Sequence, residues 1–172
     1  MDRKKKKTIR GSPISTASAP PTSSIRILAI ASGGGHWLEL LRLRSILEEF
    51  DIHYVNTGKD WEHSVTPHPY YVVPDANLHT PWRIIRTFFC MLRLFRKIRP
   101  QVVISTGAAP GGLALLLGRI FRARTLWIDS AANSVELSLS GRIALKMTGT
   151  VLTQWPELAR PGGPYYRGNI LV

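Results

Sequence analysis

From Ile25 onward, short unbroken apolar runs alternate with longer stretches in which apolar positions recur every three or four residues. Runs of four to seven such residues read as buried strands, and the longer period reads as helix. The pattern predicts strands at Ile25–Ala31, Ile52–Asn56, Tyr70–Val73, Val102–Thr106, Thr125–Asp129, Val151–Gln154 and, at the end, Ile170–Val172. It predicts helices over Trp37–Glu49, Pro81–Ile98, Leu113–Phe121 and Leu139–Met147. Pro81 suits a first helical turn and Pro100 stops the second of these helices. Strand and helix in alternation argue for an α/β fold, a Rossmann-like parallel sheet with helices on both faces. Met1–Ser24 breaks the pattern: a Lys block followed by Gly, Ser, Pro, Ala and Thr reads as a disordered basic tail. One domain, 25–172, remains.

In open α/β sheets, ligands sit beyond the carboxyl ends of the strands. Three loops meet that condition. The first is Ser32-Gly33-Gly34-Gly35-His36 and the second is Thr106-Gly107-Ala108-Ala109-Pro110-Gly111-Gly112, both rich in glycine and both leading into helices. Glycine allows backbone N–H groups to approach a phosphate closely, so two such turns on one edge suggest a ligand with more than one phosphate. The spacing is neither Gly-x-Gly-x-x-Gly nor a turn closed by Gly-Lys-Ser/Thr, which disfavours dinucleotides and nucleoside triphosphates. His36 is either a general base on a hydroxyl or a helix-start residue that caps or binds phosphate. The third loop begins at Asp129, with Ser130 and Asn133 beside it; Asp129 is either a ligand or base for an acceptor hydroxyl or the N-cap of the next turn.

Charge sharpens the picture. The 172 residues carry a net +12, and six basic side chains among the first ten residues face only Asp2. A polyanionic partner follows: nucleic acid, an anionic membrane face or a phosphorylated substrate. The predicted helix Pro81–Ile98 holds Arg83, Arg86, Arg93, Arg96 and Lys97 without one acidic residue, with Trp82 and Phe89 bordering its basic side. That arrangement reads as contact with an anionic membrane surface, or else as a core-packing helix with a solvated face. No run is long enough to span a bilayer, and the N-terminus lacks the apolar stretch of a secretory signal. A single cysteine, Cys90, excludes an intrachain disulfide, and the five histidines show no metal-ligand spacing, so no metal or cofactor is expected. A nucleic-acid-binding module is the alternative reading, although aromatic RNA-binding, helix-turn-helix and zinc-finger patterns are all missing from the sequence.

Five motifs occur in one colinear series: Ala31-Ser32-Gly33-Gly34-Gly35-His36, Val102-Val103-Ile104-Ser105-Thr106-Gly107-Ala108, Leu126-Trp127-Ile128-Asp129-Ser130, Leu137-Ser138-Leu139-Ser140-Gly141 and Gln154-Trp155-Pro156-Glu157-Leu158. The set resembles the membrane-associated subunit of the two-component glycosyltransferases of lipid-linked oligosaccharide and exopolysaccharide synthesis (the asparagine-linked glycosylation fourteen and PssD family), with a more distant likeness to the MurG family. The resemblance implies the acceptor-side, N-terminal half of a GT-B glycosyltransferase. It implies a separate donor-binding subunit for the UDP-sugar, with N-acetylglucosamine or glucuronic acid as the sugar, and a polyprenyl-diphosphate-linked saccharide as acceptor. On that analogy Ser32, Gly33, Gly34, Gly35, Thr106, Gly107, Gly111, Gly112 and Asn133 hold the acceptor diphosphate, and His36 or Asp129 deprotonates its hydroxyl. Asp129 stands where these families usually carry glutamate. Eukaryotic members have a transmembrane anchor; here a peripheral attachment to the cytoplasmic face is expected, through Trp82, Arg83, Arg86, Phe89, Arg93 and Lys97. Trp155, Pro156, Glu157 and the apolar terminus Ile170, Leu171 and Val172 are expected to meet the partner subunit, since an uncovered apolar strand leaves an edge to pair. No nucleic acid partner is expected on this reading.

Overall fold

The computed structural model describes residues 23–76, 81–148 and 150–170. Seven strands form one sheet in the order β3-β2-β1-β4-β5-β6-β7, every neighbouring pair parallel. They are β1 (Ser23–Ile30), β2 (Phe50–Asn56), β3 (Tyr70–Val72), β4 (Val102–Ser105), β5 (Arg124–Ile128), β6 (Val151–Thr153) and β7 (Tyr165–Tyr166). The helices are α1 (Gly35–Leu41), α2 (Arg44–Leu47), α3 (Pro81–Ile98), α4 (Ala108–Ile120) and α5 (Leu139–Met147). The predicted Rossmann-like sheet is therefore present. Along β1, Leu28 and Ile30 belong to one core with Met91, Phe95 and Leu115. Ile27 and Ala29 belong to a second, with Trp37, Leu40 and Tyr54. A strand buried on both faces has no polar side to show, which is why its sequence is apolar without alternation.

Strand order reverses between β1 and β4, and at such a reversal the following loops diverge to opposite faces and open a crevice. Both glycine turns follow these two strands. Sequence alone put them on one edge; the topology makes them neighbours.

Several boundaries differ from expectation. The helix expected over Trp37–Glu49 starts at Gly35 and breaks after Leu41, so His36 lies in the first turn. The helix expected from Leu113 starts at Ala108, because Pro110 fits a first turn; Gly111 and Gly112 are thus helical. The terminal strand is Tyr165–Tyr166, whereas Ile170 sits in a turn with its N–H donated to Gln154 Oε1 at 3.2 Å. Leu171 and Val172 lie outside the described residues, as do 1–22, which include most of the basic tail; Ser23 and Ser24 belong to β1. Helix α3 spans Pro81–Ile98 as read from the sequence.

Candidate active site at the glycine turns

The two glycine turns form a single structure. Ile30 ends β1, and Gly34, in the left-handed region at φ 75°, turns the chain into α1. Thr106 Oγ1, from the second turn, donates to the backbone oxygen of His36 in the first at 2.6 Å. The imidazole of His36 packs against Gly107: a Cβ there would sit 2.7 Å from His36 Cγ and closer still to Nδ1 and Cε1. Glycine at 107 is what admits the ring. On the other side, Gly33 is walled by the indole of Trp61, whose Nε1 would lie 3.2 Å from an added Cβ. Ser32 and Gly33 are half-buried, and Gly34 and Gly35 are open to solvent. Helix α4 adds the unpaired N–H groups of its first turn at the same edge.

A buried carboxylate lies behind His36. Glu39, one turn along α1 and 5% exposed, places Oε2 3.9 Å from His36 Nδ1. Neither of these two buried atoms has a hydrogen-bond partner among the described residues, so each is the other's nearest opposite. At 3.9 Å the two atoms face each other beyond hydrogen-bond distance. The remaining oxygen, Oε1, accepts from Ser130 Oγ at 2.8 Å and from the Ala131 N–H at 2.9 Å, tying α1 to the loop after β5. Burial by itself pushes the Glu39 pKa up, but the facing His36 imidazole and the hydrogen bonds from Ala131 and Ser130 hold it below the usual 4.5. Glu39 is an anion aimed at a histidine. Sequence reading passed over it; the available signal was a lone acid in the apolar segment Trp37–Leu41, three residues after His36.

Asp129 is placed differently. Only 2% exposed, it accepts from Trp127 Nε1 (2.9 Å), Asn133 Nδ2 (3.2 Å), the Ser138 N–H (2.9 Å) and Ser138 Oγ. Four donors occupy the lone-pair positions a carboxylate offers. Ser138 in turn accepts from the Gly141 N–H and caps α5. Asp129 thus organises the loop between β5 and α5, and the Asn133 amide is engaged with it. The Gln154-Trp155-Pro156-Glu157 motif braces the same loop: Gln154 Nε2 donates to Asp129 O at 3.0 Å and Trp155 Nε1 to Ala131 O at 2.8 Å. Pro156 and Glu157 are exposed; Trp155 and Ile170 are half-buried.

Beside the second turn, α4 changes character. Gly111 packs onto Ser105 and Trp127, whereas Gly112 opens into a cleft of about 210 Å³ walled by Ile84, Leu113, Leu116, Leu139 and Ile143. The diphosphate candidates therefore border an apolar groove between α3, α4 and α5. On α3, Thr87, Met91, Phe95 and Ile98 face inward, while Trp82 is 76% and Phe89 59% exposed, amid exposed Arg83, Arg86, Arg93 and Lys97. No helix among the described residues is long and apolar enough to cross a membrane, and none of their His, Cys, Asp and Glu clusters could hold a metal ion.

The family model described as "Oligosaccharide biosynthesis protein Alg14 like" matches residues 71–168, more than half of the chain. The UDP-N-acetylglucosamine transferase subunit ALG14 of Mus musculus is 28% identical over 173 residues, covering 80% of this chain and 79% of that protein. A UDP-N-acetylglucosamine–N-acetylmuramyl-(pentapeptide) pyrophosphoryl-undecaprenol N-acetylglucosamine transferase of Coxiella burnetii is 29% identical over 149 residues, covering 77% of this chain but 40% of the transferase. Among solved structures, MurG of Acinetobacter baumannii superposes with a TM-score of 0.69 at 15% identity, over 84% of this chain and 45% of that one. UDP-N-acetylglucosamine 2-epimerase of Rickettsia bellii does so at 0.64 and 12% identity, over 87% and 46%. The chain thus spans less than half the length of these last three proteins, and what it shares with the solved structures is the GT-B-like Rossmann fold.

Proposed function

The chain belongs to the Alg14-like family of oligosaccharide biosynthesis proteins, and from that premise we propose that it is the acceptor-binding, membrane-recruiting subunit of a two-component glycosyltransferase. The reaction transfers N-acetylglucosamine from its UDP donor, held by a partner subunit, to a saccharide carried on polyprenyl diphosphate. The observation that carries this reading is the interlock of the two glycine turns on His36 at the switch point of the sheet. Relatives named as a transferase subunit and as a transferase acting on a pyrophosphoryl-undecaprenol acceptor support the substrate class.

The chemistry follows from the ring's surroundings. Nδ1 is buried against Gly107 and Glu39 while the imidazole as a whole stays half-exposed, and on this reading Nε2 is the nitrogen that meets the acceptor. With its proton on Nδ1, facing the carboxylate, His36 offers the Nε2 lone pair to the acceptor hydroxyl. As that hydroxyl attacks the anomeric carbon, the bond from that carbon to the UDP β-phosphate oxygen breaks, UDP leaves with the electron pair, the hydroxyl proton passes to Nε2, and the resulting imidazolium gains the Glu39 charge behind it. The first-turn N–H groups of α4 and the Gly33–Gly35 backbone take the acceptor diphosphate. The apolar groove past Gly112 receives the start of the prenyl chain. Exposed Trp82 and Phe89 enter the bilayer interface while Arg83, Arg86, Arg93 and Lys97 meet anionic headgroups on its cytoplasmic face. Asp129 supports the site from below, since its oxygens are occupied.

The test is the complete reaction: this chain with its partner subunit, UDP-N-acetylglucosamine and a polyprenyl-diphosphate-linked saccharide. His36→Ala is expected to lose about 10²–10⁴-fold in kcat, the usual contribution of a general base, with unchanged circular dichroism. Full activity in that variant would overturn the assignment.

A further inference from the structure

A second concentration of charge lies on the opposite edge of the sheet. Arg96, Arg99, Arg122 and Arg124, with Gln101 and Phe121, line an open pocket of about 700 Å³ where the strands begin. The glycine turns sit where the strands end, so the sheet's height separates the two, about 13 Å for a four-residue strand. No carboxylate lines this pocket, and none of the ion pairs among the described residues involves its arginines. A fifth guanidinium closes in from Arg26, whose Nε donates to the Arg99 carbonyl at 3.1 Å.

Helix ends do not account for this charge. The carboxyl ends of α3 and α4 point to this edge, and each presents about half a negative charge. Four lining arginines therefore leave an excess of about three positive charges. Arg99 and Arg122 hold left-handed backbone (φ 51° and 60°) directly past the ends of α3 and α4, where glycine would sit without strain. Both positions hold a cation instead. Planar guanidinium groups lining one pocket without acidic partners suit phosphate oxygens, which accept two parallel N–H bonds from one arginine.

We infer that this pocket is an anion site for a phosphate group, separate from the acceptor diphosphate site. Its position on α3 indicates the source. At 100° per residue, Arg96 falls on the stripe of Trp82, Ile85, Phe89 and Arg93, about 21 Å along the helix from Trp82. If α3 lies on a bilayer, as the proposed function has it, the pocket opens at headgroup level and a phospholipid phosphate fills it. The anion site itself does not depend on that reading.

The test uses the full chain and two probes. In calorimetric titration with inorganic pyrophosphate, Arg122→Gln/Arg124→Gln should weaken binding by about tenfold or more, the scale of losing charge-assisted hydrogen bonds. If the glycine turns also bind pyrophosphate, the stoichiometry should instead fall by one. Lys146→Gln/Arg167→Gln, removing equal charge elsewhere, should titrate like the native chain. An unchanged titration in the Arg122/Arg124 variant, or no binding by the native chain, would overturn the site. Co-sedimentation with phosphatidylcholine vesicles, with and without phosphatidic acid, then assigns the source. Loss of binding in the Arg122/Arg124 variant identifies the headgroup. Loss only in Trp82→Ala/Phe89→Ala identifies a soluble phosphate. Vesicle binding untouched by Trp82→Ala/Phe89→Ala would refute the membrane role of α3 while leaving the pyrophosphate result standing.

Discussion

The three glycines of the second turn have three different surroundings, and alanine at each should separate them. At Gly107 an added Cβ falls 2.7 Å from His36 Cγ and nearer to Nδ1 and Cε1, against an ordinary heavy-atom separation of about 3.5–4.0 Å. The imidazole must retreat by about 1 Å, and displacements of that size in a reacting group cost on the order of 10²-fold in rate. The ring is partly exposed and can yield more readily than a fully buried group, so the stability cost belongs within the roughly 1–3 kcal/mol seen for overpacking. At Gly111 the Cβ would press on Ser105, with Ser105 Cβ at 3.1 Å and Trp127 Cζ3 at 3.3 Å. Ser105 and Trp127 are fully buried and cannot yield, which places this variant at about 3 kcal/mol or above. At Gly112 nothing lies within 4 Å, and alanine inside a helix gains about 0.5–1 kcal/mol over glycine. Thermal unfolding followed by circular dichroism should order the midpoints Gly111→Ala, Gly107→Ala, native, Gly112→Ala, at about 2–4 °C per kcal/mol. Transferase activity per folded molecule should fall about 10²-fold in Gly107→Ala. Activity within twofold of native in that variant, or a Gly111→Ala protein as stable as the native one, would refute the reasoning.

Glu39→Gln keeps an acceptor for Ser130 and Ala131 but removes the charge facing His36, so kcat should fall about tenfold with KM little changed. Because the folded pKa of Glu39 lies below its usual 4.5, its ionised form stabilises the fold above that pH. The stability difference between native and Glu39→Gln protein, measured by urea unfolding, should therefore shrink as pH falls through the folded value. His53 is governed by burial, which lowers its pKa below 6.5 against the raising effect of Asp51; Lys97 and Arg26 lower it further. Native stability should be complete above pH 6.5 and decline as the solution is acidified toward the folded pKa, and His53→Gln should flatten that slope. Asp129→Asn offers an amide NH₂ to donors that need an acceptor and should cost about 3 kcal/mol, with kcat per folded molecule retained. A stably folded Asp129→Asn protein with a collapsed kcat would move the base from His36 to Asp129.

The apolar runs predicted seven strands, six of which lie where expected, because a strand buried on both faces carries its burial in its own composition. Helix α3 was legible to its ends, since Pro81 and Pro100 act on the local backbone, and its basic face needed no partner to be seen. The glycine turns and His36 were legible too, as a strand–turn–helix transition is written in consecutive residues. Glu39 escaped because its significance lies in Ser130 and Ala131, more than ninety positions away. The same holds for Gly107, which matters because His36 packs against it, and for Gln154 and Trp155, which bracket the Asp129 loop. Arg99 and Arg122 carry no signal in the sequence beyond their charge, and only the sheet sets the two helix ends that precede them side by side. The sequence by itself determined which segments are strands and helices, where glycine lets the backbone turn, and that the chain is strongly basic. The order of the strands brought the two turns, the histidine and its carboxylate into one crevice. That order is set by how whole layers pack, and no local pattern encodes which strands become neighbours.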